Sequence, residues 1–234
     1  MKITVERDEL LRALNHIQGL VEKRNTVPIL SNILLDVNDN KLRIFATDMI
    51  IEVVQSLNCD VLNAGKTTIS AHTLYDIIRK LSTGSQVEIM QAGTKDPIEI
   101  KSGKSNFKLP SISPEEFPTM DNAKMPFNFL IKSNDLCLLL DRTKFAMSAE
   151  ETRHYLNGIY LHAENVKDKE ALIAVATDGH RLAKIQLDKI DKIGNMPSII
   201  LPRKAVLEIR KLLEDYEKEV SISIAFYNYF IRII

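Results

Sequence analysis

Leu42-Arg43-Ile44-Phe45-Ala46-Thr47-Asp48 returns as Leu172-Ile173-Ala174-Val175-Ala176-Thr177-Asp178, and the fold class follows from that recurrence. Thr47 and Thr177 stand 130 residues apart. Working outward, Ile69 through Leu81 closes on Ile78-Arg79-Lys80-Leu81, and Ile200 through Leu212 closes on Ile209-Arg210-Lys211-Leu212, at an offset of 131. Upstream, Ser31-Asn32-Ile33-Leu34-Leu35 answers Asn157-Gly158-Ile159-Tyr160-Leu161 at 126. Lys2-Ile3-Thr4-Val5, ahead of a helical run, answers Phe127-Asn128-Phe129-Leu130-Ile131. Four features in one order at nearly one offset define an internal repeat, and a repeat this long is a whole domain. Two homologous domains are expected, residues 1–124 and 125–234. Three prolines in the polar stretches Ser113-Pro114-Glu115-Glu116-Phe117-Pro118 and Asp121-Asn122-Ala123-Lys124-Met125-Pro126 read as a turn-rich linker between them.

Within each repeat the periods are legible. Leu74, Ile77, Ile78 and Leu81 follow the i, i+3, i+4, i+7 spacing of a helix with one apolar stripe, as do Leu10, Leu14, Ile17 and Val21. Asp8 is a candidate cap for the first helix. Pro202 suits the first turn of another, which would turn Val206, Ile209 and Leu213 inward and Lys204, Glu208 and Lys211 outward. Lys41 to Val54, Gln86 to Met90, Ile98 to Lys101 and Phe107 to Leu109 alternate like half-buried strands. Asp178-Gly179, between Ala171–Thr177 and Arg181–Leu187, signals a two-residue hairpin. Each domain is then two short helices packed on antiparallel sheet, an α+β arrangement.

Composition narrows the function classes. The 234 residues are 45% hydrophobic and 26% charged, ordinary for globular domains, and 31 basic side chains balance 31 acidic ones. A protein that grips DNA by charge alone is strongly basic, because each neutralised phosphate adds affinity. The balance therefore speaks against a tight, static nucleic-acid binder and leaves room for one that holds DNA loosely. No apolar run approaches the roughly 18–20 residues of a membrane span. The acids early in Met1-Lys2-Ile3-Thr4-Val5-Glu6-Arg7-Asp8 fit a cytoplasmic chain with no membrane partner. Cys59 and Cys137 lack a CxxC spacing and read as buried thiols.

Several residue groups invite chemical readings. Gly65-Lys66-Thr67 imitates the end of a phosphate-binding loop, but that motif needs glycine where Asp60 stands. His180, held by Asp178, could serve as a general base, yet no nucleophile elbow accompanies it, and a solvated hairpin turn is the plain alternative. His16, His72, His154, His162 and His180 show no ligand spacing, so neither a metal nor any other cofactor is expected. Glu115-Glu116 and Glu150-Glu151 read as solvated loop acids. Arg153-His154-Tyr155 and Lys23-Arg24-Asn25 combine basic and aromatic side chains that can touch phosphates and stack on bases; inert surface loops are the other reading of both.

With these residues assembled, the chain resembles the bacterial DNA sliding clamp, the β subunit of DNA polymerase III. The resemblance rests on Met1-Lys2-Ile3-Thr4-Val5-Glu6-Arg7, Pro28-Ile29-Leu30-Ser31-Asn32, Tyr155-Leu156-Asn157-Gly158 and Ala176-Thr177-Asp178-Gly179-His180-Arg181-Leu182-Ala183, in order and spacing. It implies the DNA-clamp fold and a non-catalytic processivity factor in DNA replication. Clamps of this family have three such domains, and two subunits close a ring around duplex DNA, with helices lining the hole and sheets outside. Topology then retains the DNA, so weak phosphate contacts suffice. By position, the resemblance implies DNA contact at Arg24, His72, Glu150, Arg153, His154, Tyr155, Arg203 and Lys204. His154 stands where tyrosine is common, His72 where arginine is, and Glu150 where glutamine is. It likewise implies that Leu156, Thr177, Gly179, His180, Arg181 and Leu182 wall a groove for peptide motifs of polymerase and clamp-loader subunits.

The resemblance extends to about residue 223, and the aromatic stretch 225–234 matches no family segment by eye. Carrying the 131-residue offset on from Pro118 leads past residue 234. The expectation is therefore a clamp with its third domain absent and its central domain incomplete, and a fragment of that kind could not close the homodimeric ring. A folded clamp fragment and a hydrolase using Asp178 and His180 are the competing readings.

Overall fold

The computed structural model describes residues 1–23, 25–94, 96–119, 127–150, 152–166, 169–188, 190, 193–214, 219–224 and 231–233. The chain divides into two compact units, Met1–Met120 and Asp121–Ile234, just ahead of the boundary expected at 124.

Unit 1 runs β1 (Lys2–Glu6), α1 (Arg7–Ile17), β2 (Asn32–Asn38), β3 (Lys41–Thr47), β4 (Glu52–Asn58), β5 (Asp60–Asn63), β6 (Gly65–Ser70), α2 (Ala71–Lys80), β7 (Gln86–Met90), β8 (Ile98–Ser102) and β9 (Ser105–Leu109). Unit 2 runs β10 (Phe127–Lys132), α3 (Ser133–Thr143), β11 (Gly158–Val166), β12 (Lys169–Thr177), β13 (Leu182–Asp188), β14 (Ile199–Pro202), α4 (Arg203–Leu212), β15 (Glu219–Ile224) and β16 (Ile231–Ile233). The sheets of unit 1 are ordered β5-β1-β7-β8-β9 and β4-β3-β2-β6; those of unit 2 are β10-β15-β16 and β13-β12-β11-β14. Every described pairing is antiparallel, which fixes the class as α+β.

The two units are copies down to the ladder register. Leu34 pairs with Phe45 and Thr68 in one, and Tyr160 with Val175 and Ile200 in the other. Thr47–Glu52 and Thr177–Leu182 close equivalent strand pairs. The second helices start at Ala71 and Arg203, an offset of 132, and Leu74 and Val206 at that offset are both wholly buried. Leu81 therefore answers Leu213, one residue beyond the partner that the repeated Ile-Arg-Lys-Leu suggests. Burial periodicity, not tetrapeptide identity, sets the helix register.

Each core is built from the expected stripes. Leu10, Leu14, Ile17, Leu74 and Ile78 bury against Ile33, Leu35 and Ile44 in unit 1; Leu136, Leu139, Leu140 and Val206 bury with Ile159 and Leu161 in unit 2. Asp8 is not a cap, because α1 begins at Arg7 with Glu6 preceding it. Asp8 instead accepts from the Arg7 guanidinium at 2.7 Å and the Gly84 N–H at 3.0 Å, and the Arg7 hydrogen bond holds its carboxyl below the usual aspartate range. Arg7 itself is buried and donates to the Ile78 and Arg79 carbonyls at 3.0 and 2.7 Å. It thereby joins the Leu81 N–H on the Ile78 carbonyl and caps the Arg79 carbonyl at the end of α2. Pro202 ends β14 one residue before α4 rather than sitting inside its first turn.

Two further expectations change. The Asp178-Gly179 hairpin closes through four residues, 178–181, because Thr177 pairs with Leu182. The stretch 113–118 is more than a linker: Phe117 is buried, together with Ile29, Leu30 and Leu34, on the outer face of the β2 sheet.

Candidate nucleic-acid interface

The loops that follow the first helix of each unit, 18–31 and 144–157, have equal length and share an offset of 126. Each is tied to the first turn of the second helix, by side chains that stand one position apart in the helix register. In unit 1, Nε2 of half-buried His72 donates to the Val21 carbonyl at 2.7 Å. In unit 2, the Arg203 guanidinium donates to the Met147 carbonyl at 3.4 Å, and Met147 is the counterpart of Val21. Of the expected DNA-contact residues that the structure describes, His72 falls on this station in unit 1, and Glu150, Arg153, His154, Tyr155, Arg203 and Lys204 fall on it in unit 2. Arg24 belongs to this station by sequence position and lies outside the described residues.

In unit 2 the loop is knitted by its own backbone. Ser148 N–H donates to the Leu156 carbonyl at 2.9 Å, and the Asn157 side chain donates to the Ser148 carbonyl at 2.9 Å. The Asn157 carbonyl accepts from the Arg203 N–H at 3.0 Å, which joins the loop to the first residue of α4. Asn157 and Ser148 are positioning residues that charge-based reading passes over; the quoted Tyr-Leu-Asn-Gly motif was the signal for the first. Gly158 follows because a β-carbon there would collide with the Leu201 carbonyl across the ladder. Held this way, Arg153, His154 and Tyr155 are all exposed. The Arg153 Nε lies 2.8 Å from Glu150, both side chains being about half exposed, so Glu150 compensates part of that guanidinium's charge. Lys204 is partly buried on the first turn of α4.

The six residues expected to wall a groove divide between two segments. Thr177 to Leu182 form one turn, and Leu156 sits on the 144–157 loop. Thr177 Oγ1 donates to the Arg181 carbonyl at 2.7 Å and accepts from the Gly179 N–H at 3.1 Å. Asp178 Oδ1 accepts from the His180 and Arg181 N–H groups, both at 3.0 Å, and Oδ2 from Arg181 Nε at 2.8 Å. The two backbone bonds, with the Arg181 charge, hold the Asp178 carboxyl below the usual range. Gly179 takes φ +93°, the left-handed region that lets those N–H groups converge. His180, Arg181 and Leu182 are left projecting into solvent. Because Asp178 spends both oxygens on the turn and Arg181, it does not orient the His180 ring, and the geometry gives the hydrolase reading no dyad.

Away from this surface, Cys59 is buried and Cys137 half-buried, and burial pushes both thiols up. Among the described residues no group of three His, Cys, Asp or Glu side chains is placed to hold a metal ion. None of the described helices is long and apolar enough to cross a membrane.

Two register-matched α+β units, each carrying a loop latched to a helix start, define a tandem-repeat protein of the DNA-clamp class. The description "DNA polymerase III beta subunit, N-terminal domain" matches residues 1–121, and "central domain" of the same subunit matches 130–233. The chain belongs to the DNA polymerase III beta-subunit family. The central-domain match continues past residue 223 through most of the aromatic tail, correcting the expectation that the tail lies outside the family pattern. The beta sliding clamp of Caulobacter vibrioides (strain NA1000 / CB15N) is 41% identical over 225 residues, covering 96% of this chain and 60% of the relative. That of Pseudomonas aeruginosa is 36% identical over 223 residues, covering 95% and 59%. A crystal structure of the C. crescentus clamp superposes with a TM-score of 0.93 at 41% identity, over 96% of this chain and 60% of that one. The Bartonella birtlesii clamp bound to griselimycin gives 0.93 at 39%, over 100% and 62%. The chain spans about 60% of the length of the curated relatives it matches.

Proposed function

We propose that the chain supplies DNA-facing and partner-facing parts of a sliding clamp: a non-catalytic, ring-forming processivity factor that surrounds duplex DNA and tethers the replicative polymerase. The observation that carries this reading is the repeated loop-to-helix station, His72 on Val21 and Arg203 on Met147, beside which Glu150, Arg153, His154, Tyr155 and Lys204 lie in unit 2. A phosphate-facing surface built twice, in a chain whose charges cancel, suits DNA held by enclosure rather than by affinity. The turn 177–182, presenting His180, Arg181 and Leu182, together with Leu156, is the proposed seat for apolar peptide motifs of polymerase and clamp-loader subunits in the cytoplasm. Ring closure in the family is homodimeric, and the polypeptide 1–234 taken alone is proposed to hold linear DNA without being retained on a circle.

The test has two arms. Fluorescence anisotropy on a labelled duplex should give weak binding that falls steeply with salt and weakens further on Arg153→Ala. Loading onto nicked circular DNA with the cognate loader, followed by gel filtration before and after linearisation, reads retention. Tight, salt-insensitive binding would sink the sliding mechanism, and stable retention on the circle would show that residues 1–234 by themselves enclose DNA.

A further inference from the structure

At the 132-residue offset of the second helices, Ala71 and His72 answer Arg203 and Lys204. The first turn of α4 therefore opens on two permanent cations, whereas that of α2 opens on a histidine with no lysine or arginine beside it. A second imidazole, His154, is exposed on the 144–157 loop of unit 2. Histidine is the side chain type whose charge changes between about pH 5 and 8, while lysine and arginine stay charged throughout. The repeated station thus carries fixed charge at one helix start and switchable charge at the other.

The latch of unit 1 is compatible with both charge states. A carbonyl only accepts, so Nε2 of His72 carries the hydrogen that meets Val21 at 2.7 Å, and the second proton comes and goes at Nδ1. Protonation adds a charge without breaking the bond that fixes the ring. The charged groups about His72 are Glu22 and Lys23, exposed just after Val21, and Asp76, one turn along α2 and engaged by Arg79 at 3.3 Å. His16 stands in the last turn of α1. About His154 they are Glu150 and Arg153, paired at 2.8 Å, with Arg203 and Lys204 at the start of α4. Of these neighbours only His16 is of a type that changes charge in the same range.

We propose that pH sets the grip of this chain on duplex DNA, with His72 and His154 adding phosphate-facing charge when protonated and withdrawing it when neutral. The inference rests on the DNA-facing reading of the station. Its physical content is one further phosphate contact per imidazole as pH falls, at constant fold. Linkage makes the effect reciprocal: DNA favours the protonated rings, so binding takes up protons.

The probe is a rhodamine-labelled DNA duplex titrated with the whole 234-residue chain at about pH 6 and about pH 8 over a salt series, followed by anisotropy. Binding is expected to be roughly fivefold tighter at the lower pH in low salt, with the slope of log affinity against log salt steeper by about 0.9 per imidazole. His72→Arg fixes the charge of unit 1 and is expected to strengthen binding at the higher pH, since a guanidinium makes the equivalent latch in unit 2. His72→Gln is expected to lose the gain at the lower pH, and adding His154→Tyr to remove what pH dependence is left. Salt-dependent binding that is the same at both pH values overturns this proposal and leaves the DNA-facing reading standing. A pH effect that persists in the His72→Gln, His154→Tyr double variant overturns it too, by assigning the effect to other groups. Absence of duplex binding at either pH overturns both.

Discussion

The turn 48–51 of unit 1 and the turn 178–181 of unit 2 are the same object carrying different side chains. Thr47 Oγ1 accepts from the Met49 N–H at 3.0 Å, and Asp48 Oδ1 from the Ile50 and Ile51 N–H groups at 3.0 and 2.8 Å. That is the bonding pattern of Thr177 and Asp178 one repeat later. Unit 1 places Met49 at φ +74° where unit 2 places Gly179 at +93°; exposed Ile50 stands where unit 2 exposes His180, and half-buried Ile51 where it exposes Arg181. A Thr-Asp pair therefore builds the turn, and the residues it displays are free to diverge. The helix latch is looser, since an imidazole at the second residue of α2 reaches the carbonyl whose counterpart a guanidinium reaches from the first residue of α4.

If the units are equivalent in their cores, matched truncations should act alike, and these are the largest effects expected. Leu74→Ala removes a wholly buried side chain and should cost about 3 kcal/mol; Val206→Ala at the matched position should cost about 2, having fewer methyl groups to lose. Urea unfolding followed by circular dichroism reads both, the sequence holding no tryptophan. A Val206→Ala cost near zero would break the equivalence, and an unexpectedly large Leu213→Ala cost would sharpen the 132-residue register.

Much of this was legible beforehand, for identifiable reasons. Apolar stripes such as Leu10-Leu14-Ile17 report burial directly, and the Ala-Thr-Asp recurrence reports topology because a turn built by side-chain acceptors needs those residue types. Contacts distant in sequence were not legible. Nothing local says that Arg7 closes the end of α2, 71 residues on, or that His72 belongs to Val21. The proline-rich stretch 113–118 read as linker because composition reports backbone preference, whereas its burial depends on a sheet face assembled from β2 and β3. Asp178-Gly179 suggested a two-residue hairpin, but Thr177 and Asp178 supply acceptors for three successive N–H groups, which stabilises the longer loop. The Glu150–Arg153 pair was within reach of sequence reasoning, being an i, i+3 contact in a short turn.

The turns offer an intermediate effect of opposite sign. A left-handed φ is uncomfortable for a side chain and indifferent to glycine, at roughly 1 kcal/mol. Met49→Gly should therefore stabilise unit 1 by up to about 1 kcal/mol, offset in part by the freer unfolded chain, whereas Gly179→Ala should destabilise unit 2 by about as much. A β-carbon at Gly179 meets no atom within 4 Å, so the cost would come from backbone conformation alone. Thermal melts of both variants decide it. A neutral Gly179→Ala would mean that the loop relaxes, and that the shared bonding pattern is looser than it looks.

The smallest expected effect tests the interface itself. At an offset of 126, Glu150 is the counterpart of Arg24, so the repeated station carries an acid in one copy and a base in the other. Glu150 also lies 2.8 Å from the Arg153 guanidinium, compensating part of its charge. Both side chains are solvent-exposed, so the pair contributes little to folding, and breaking it should leave stability unchanged. Glu150→Gln keeps the shape and removes the charge, releasing one guanidinium toward the phosphate backbone. One additional phosphate contact steepens the plot of log affinity against log salt by about 0.9. Duplex binding should accordingly tighten by about two- to fivefold at low salt, with the gain vanishing as salt is raised. Glu150→Arg, which places the residue of unit 1 in unit 2, should move the slope further in the same direction. If neither variant alters the salt slope while Arg153→Ala weakens binding, Arg153 acts through the loop rather than on the phosphate. If Arg153→Ala is silent too, the 144–157 loop does not face DNA, and the equivalence of the two stations is structural only.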